Sequence, residues 1–117
     1  MEIYSRFLYQ KSLYSKNPPR VKPTAFPIGE DGKVSVYQTD GLDDSAVWGL
    51  GKELNSTRSL HGRGELLRAD IESVELAIQV EGPHPLHRNI TGWVADELDQ
   101  LSQQQLLANK ATLRLCE

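Results

Sequence analysis

Four prolines between positions 18 and 27 constrain this chain more than any other feature. Proline fixes its own φ, lacks an N–H and pushes the residue before it into extended backbone. An extended, non-helical chain forming a long surface loop is therefore expected through Asn17-Pro18-Pro19, Lys22-Pro23 and Pro27. Gly29 and the Asp31-Gly32 turn signal prolong the interruption. The sequence divides into residues 1–32, an extended, proline-rich basic arm and loop, and residues 33–117, an α+β body. At 117 residues the two parts fit one domain. A chain of that size hides roughly two-thirds of its unfolded surface, enough for a core without metal or disulfide staples.

The arm opens with a small repeat. Ile3-Tyr4-Ser5-Arg6-Phe7, Leu8-Tyr9-Gln10-Lys11-Ser12 and Leu13-Tyr14-Ser15-Lys16-Asn17 each read aliphatic, tyrosine, polar, basic, variable. That step matches neither the helical nor the strand period, so the tyrosines are not expected on one face of a regular element. A short strand or irregular helix breaking near Ser12 is the expectation.

In the body, Lys33 to Gln38 alternates, with Val34 and Val36 on one side and Ser35 and Tyr37 on the other, as a half-buried strand does. After the Thr39-Asp40-Gly41 turn, Asp43 or Asp44 caps a helix whose inward face is Val47, Leu50 and Leu54. Gly49 and Gly51 weaken that helix by about 1 kcal/mol each relative to alanine. Val74, Leu76, Ile78 and Val80 alternate with Glu75, Ala77, Gln79 and Glu81, which predicts a strand over 74–81. A helix is expected from about Ala95 to Ala108, capped by Asp96, with Val94, Ala95, Leu98, Leu101 and Ala108 inward and Gln103 to Gln105 solvated. Ala111 to Leu115 reads as a final strand with Leu113 and Leu115 inward. The pattern predicts an α+β fold, a small antiparallel or mixed sheet with two helices packed on one face.

Thirteen basic against sixteen acidic side chains give a net charge of −3, which excludes a general DNA coater. The charge is uneven: +3 over residues 1–39, −5 over 40–81 and −1 over 82–117. No apolar run approaches the ~20 residues of a membrane span, and Met1 to Arg6 does not resemble a secretory signal. A cytoplasmic location is expected. Cys116 is the only cysteine, so an intrachain disulfide and a multi-cysteine zinc site are excluded. No cofactor is expected.

Two stretches carry residue types suited to chemistry. In Leu60-His61-Gly62-Arg63-Gly64-Glu65, an extended path puts His61, Arg63 and Glu65 on one side and leaves the glycine side bare, so that another backbone can come close. In His84-Pro85-Leu86-His87-Arg88-Asn89, the prolines favour a polyproline-like path that sets the two histidines about 9 Å apart, which argues against a shared metal ion. Were the two stretches neighbours, His61, Arg63, His84, His87 and Arg88 would form a basic pocket for a phosphorylated nucleotide or RNA, with histidines as acid and base. The competing expectation is a loop between strand and helix, with His87 or Asn89 bonding backbone groups. Trp48 and Trp93 are expected as core anchors.

Arg20-Val21-Lys22-Pro23 with Ala25-Phe26, then Ser35-Val36, Gly41-Leu42 with Trp48, and His87-Arg88-Asn89-Ile90-Thr91-Gly92-Trp93 resemble pieces of a group of small bacterial proteins of unassigned activity. The resemblance implies a bacterial origin and brings no catalytic residue with it.

Three functions remain open at this point. The first is a non-catalytic protein-binding module, an immunity- or inhibitor-type partner of a toxin or nuclease. It would use the Tyr4, Arg6, Tyr9 and Lys11 arm and the acidic row Asp70, Glu72, Glu75 and Glu81 to complement a protein partner. The second is a small metal-independent enzyme or ligand domain using the His/Arg pocket. The third is an RNA-binding accessory subunit that stacks bases on the arm's tyrosines while its cations hold phosphates.

Overall fold

The computed structural model describes residues 1–116. Its centre is an antiparallel six-stranded sheet built from β1 (Ile3–Leu8), β4 (Val34–Gln38), β5 (Gly62–Leu67), β6 (Ala77–Val80), β7 (His87–Thr91) and β8 (Thr112–Leu115), in the spatial order β6-β7-β4-β1-β5-β8. A hairpin of β2 (Tyr14–Lys16) and β3 (Pro19–Val21) forms a second, two-stranded sheet. The helices are α1 (Asp44–Leu54), the short α2 (Arg68–Ser73) and α3 (Glu97–Lys110). The fold is thus α+β, as expected. Among the described residues no helix is long and apolar enough to cross a membrane.

Strand alternation divides the sheet into two unlike faces. One carries Tyr4, Leu8, Val34, Val36, Leu66 and Ile90, and the β2–β3 hairpin, Phe26, α2 and α3 close over it. The other carries Ser5, Phe7, Ser35, Tyr37, Arg63 and Glu65, and α1 covers part of it by packing Val47 and Leu50 on Phe7. Asp43 caps α1 by accepting from the Ala46 N–H at 2.8 Å. The bare glycine side of β5 is used for close approach. A Cβ at Gly62 would stand 2.6 Å from the Arg114 carbonyl oxygen of β8, and one at Gly64 would meet Val21 at 3.1 Å.

Several expectations need correction. Residues 3–8 form the short strand expected before Ser12, but within the arm assigned to residues 1–32 it lies inside the sheet between β4 and β5, because Tyr4 and Leu8 bury fully and their neighbours pair on both sides. Val21, Ala25 and Phe26, expected in a surface loop, lie in the core. The strand expected over 74–81 shrinks to Ala77–Val80. Val74 instead closes α2, and Glu75 takes φ +63°, so the alternating pattern spans a helix cap, a turn and a strand. Because β6 is an edge strand, Val80 stays 73% exposed.

Helix α3 is rotated relative to its expected face. Asp96 caps it, accepting from the N–H groups of Leu98 and Asp99. Its buried residues are Gln103, Leu107 and Ala108, while Leu98 is 76% exposed. Gln103 wins the inward position because its amide bridges two loops, accepting from the Val94 N–H at 3.0 Å and donating to the Val74 carbonyl at 3.3 Å.

Candidate functional site

The pocket expected from His61, Arg63, His84, His87 and Arg88 does not assemble. His61 precedes β5, bridges β1 and β8 through its backbone, and lines a cavity of about 400 Å3 with Lys11 and Lys16. Two strands, β1 and β4, separate β5 from β7, which puts His61 and His87 at least roughly 14 Å apart across the sheet. Arg88 alternates to the face opposite His87 and spends Nη1 on the carbonyls of Pro85 and His87. Among the described residues no group of three histidine, cysteine, aspartate or glutamate side chains is placed to hold a metal ion.

Arg63 belongs to an ion-paired cluster beside α1 that borders a cavity of about 390 Å3. Its guanidinium is 2% exposed, meets Asp44 at 2.8 Å and Glu65 at 3.3 Å, and lies 4.4 Å from the centre of the Trp48 ring. Arg114 takes the other Glu65 oxygen at 2.9 Å. Two arginines face two carboxylates, so the cluster balances its own charge and serves to seat α1 on the sheet. Trp48 is a lid on this ion pair, and Trp93 packs against the main core and donates from Nε1 to the Ile90 carbonyl at 3.0 Å.

A second polar cluster lies where β1 and β4 separate. Strands β1 and β4 pair at Tyr4 with Gln38 and Ser5 with Tyr37, and from Arg6 onward they part. Arg6 fills the gap. Its Nε donates to the Ala25 carbonyl and its Nη1 to the Ser35 carbonyl, both at 2.9 Å. The side chain lines a cleft of about 200 Å3 with Phe7, Tyr9, Ser35, Tyr37, Leu54 and Asn55. A second chamber of about 340 Å3 adjoins it through Arg6, Phe7 and Tyr9 and adds Gln10 and Arg58. Both chambers are lined by arginine and by no carboxylate among the described residues.

The electrostatics follow from that lining. Burial lowers the Arg6 pKa from its ordinary value, yet guanidinium stays protonated at any physiological pH. Burial also raises the phenols of Tyr9 and Tyr37, which keeps them neutral hydrogen-bonding groups. Tyr9 spends its hydroxyl on the Gly51 carbonyl at 2.7 Å, tying β1 to α1. Tyr37 is flanked by both loop histidines, with ring centres 5.4 Å from His84, edge-on, and 5.3 Å from His87. His84 accepts from the Leu86 N–H at 3.1 Å. His87 reaches further: Nε2 is hydrogen-bonded to Ser35 Oγ, and Nδ1 lies 2.8 Å from the Glu81 carbonyl oxygen.

The remaining candidates disperse. Tyr4 is fully buried with its hydroxyl on Glu2, and Tyr14 of β2 is buried in the core, so neither offers a ring for stacking. Lys11 is exposed. Asp70 and Glu72 sit on α2, Glu75 on the turn after it, and Glu81 beyond β6, where it takes Lys33 at 2.9 Å and also binds Asn89. The four carboxylates thus fall on a helix, a turn and the end of an edge strand rather than along one sheet face. The residue that sequence reasoning missed is Ser35. Its place on the wet side of an alternating strand was visible, but nothing local ties it to a histidine 52 residues away. Compared with known proteins, this chain matches no family model, no curated protein and no solved structure.

Proposed function

We propose that this chain is a ligand-binding domain for a small organic molecule bearing a phosphate, seated in the cleft over β4 with Arg6 as its fixed positive group. One observation carries the reading: a desolvated guanidinium bonded only to backbone carbonyls, in a cleft that no carboxylate lines among the described residues. A buried charge without a counter-ion is costly, and the guanidinium fork matches phosphate geometry. Two of its five N–H donors are used, which leaves three for a ligand. Phe7, Tyr9 and Tyr37 supply apolar walls, and the adjoining chambers suit a ligand of mononucleotide or sugar-phosphate size.

The test compares AMP with adenosine in thermal unfolding. AMP at about 100 times its Kd stabilises the fold by about 2.7 kcal/mol, a rise of several degrees in Tm, while adenosine gives much less. Arg6→Gln lowers the baseline Tm, because two carbonyls lose their donor, and also abolishes the AMP-induced rise. A purely structural Arg6 would leave that rise intact. Equal shifts with AMP and adenosine, or an unchanged shift in Arg6→Gln, would refute the reading.

A second reading, the protein-binding module of immunity or inhibitor type in a bacterial cytoplasm, draws support from α3. Leu98 and Leu101 are 76% and 54% exposed there, and Leu101 borders an apolar groove with Pro23 and Pro27. On that reading a stoichiometric partner captured from the native source is lost with Leu101→Glu and kept with Arg6→Gln.

A further inference from the structure

A carbonyl oxygen has no proton to give, so the contact between His87 Nδ1 and the Glu81 carbonyl places the ring hydrogen on Nδ1. In the neutral imidazole Nε2 is then a bare acceptor, and the Ser35 hydroxyl bonded to it must be the donor. A serine donating to a histidine whose far nitrogen is fixed by an acceptor is the arrangement that activates a hydroxyl for attack. Ser35 also lines the cleft, and Arg6 Nη1 sits 2.9 Å from its carbonyl oxygen.

We propose that Ser35 and His87 are a nucleophile–base pair, and that the cleft hydrolyses carboxylic esters whose anionic group Arg6 holds. This rests on the anion-binding reading above and adds a reaction to it. Ser35 Oγ forms a bond to the ester carbonyl carbon as its proton passes to His87 Nε2. The carbonyl electron pair moves onto oxygen, while Arg6 keeps the ester in place by its anionic group. Collapse restores the C=O bond and breaks the C–O bond to the alcohol, which leaves with the proton from Nε2. Water then repeats the sequence on the acyl-serine with His87 as base, releasing the acid and regenerating Ser35. Water is the only co-reactant.

The surroundings suit the imidazolium that forms midway. Tyr37 packs on the His87 ring and holds its plane. The Lys33 ammonium bonded to Glu81 holds that carboxyl below its ordinary pKa, so its negative charge persists close to His87. Asn89 binds the same carboxylate and fixes it beside β7.

The probe is diisopropyl fluorophosphate, whose P–F bond breaks as Ser35 Oγ bonds to phosphorus. Intact-mass and peptide analysis is expected to show one adduct per chain, on Ser35, absent in Ser35→Ala and at least 100-fold slower in His87→Gln. With the enzyme-free rate subtracted, mono-4-nitrophenyl adipate, whose carboxylate is too remote for rapid attack on its own ester, should be hydrolysed at least tenfold faster than 4-nitrophenyl acetate, and Arg6→Gln should erase that difference. No adduct on Ser35, or labelling at an undiminished rate in His87→Gln, overturns the proposal. Should His87→Gln fail to fold, the comparison of wild type with Ser35→Ala decides alone. An AMP-induced rise in Tm without labelling removes the reaction and keeps the binding site. Labelling of Ser35 without an AMP effect or a preference for the anionic ester removes the role of Arg6 and keeps the activated serine.

Discussion

Phe26→Ala is expected to cost about 3–5 kcal/mol of folding stability, the usual range for truncating a large aromatic in a packed core. That is a large part of the ~5–15 kcal/mol that holds a domain of this size together. Phe26 lies amid prolines where a solvated loop was expected, yet its ring is fully buried against the same cluster as Tyr4, Leu8, Val34 and Leu107. Its backbone is tied down as well, with its N–H on the Pro23 carbonyl and its own carbonyl accepting from Gln104 of α3 at 2.6 Å. The loss is therefore a cavity at the junction of the hairpin, the sheet and α3. Urea unfolding checks it: the midpoint should fall sharply at nearly constant slope. Pro27→Ala, one residue on and exposed, should move the midpoint little. A loss below about 1 kcal/mol for Phe26→Ala would mean that residues 17–32 do not close the core.

What the sequence made legible was local. The alternation of Val34 and Val36 against Ser35 and Tyr37, the Asp43 and Asp96 caps and the bare glycine side of β5 all follow from neighbours within a turn or a pleat, and all appear as expected. The errors arise where a distant partner decides. Tyr4 and Leu8 are buried because β5 pairs along the whole of β1, a register that no five-residue repeat announces. Glu75 in the left-handed region ended what looked like an unbroken strand. The cleft is the extreme case. Arg6, Ser35 and His87 come from three strands, and the gap that admits Arg6 exists only because β1 and β4 part after two residue pairs. The histidines were recognised and Arg6 was noted, but not their relation.

The two arginines Arg63 and Arg6 show why the distinction matters for function. Arg63 and Arg6 are both poorly exposed, and both bridge elements far apart in sequence. Arg63 meets two carboxylates and an indole, so its charge is answered within the fold. Arg6 meets only carbonyl dipoles, which orient the guanidinium without neutralising it. The first arrangement stabilises a contact between secondary structures, and the second leaves a positive potential at the mouth of a cleft where an anionic ligand can complete it.

Gln103→Leu should destabilise the fold by about 2–4 kcal/mol, whereas Leu98→Gln on the same helix should stay within about ±0.5 kcal/mol. Hydropathy alone predicts the reverse order. Leucine at 103 would add apolar surface to the core, but it would leave the Val94 N–H and the Val74 carbonyl without the amide that now serves both. Each stranded backbone group costs about 1–3 kcal/mol, and the added hydrophobic burial offsets only part of that. At 98 the side chain is mostly in water, and leucine and glutamine have similar helix propensity, so little changes. Gln103→Glu is the informative intermediate: it keeps the acceptor for Val94, loses the donor to Val74 and buries a charge, so it should fall at or below the leucine variant. Urea midpoints for the three variants give the order directly. If Leu98→Gln proves the more damaging, α3 is seated on the face its leucines suggest, and the glutamine bridge between the two loops does not hold it.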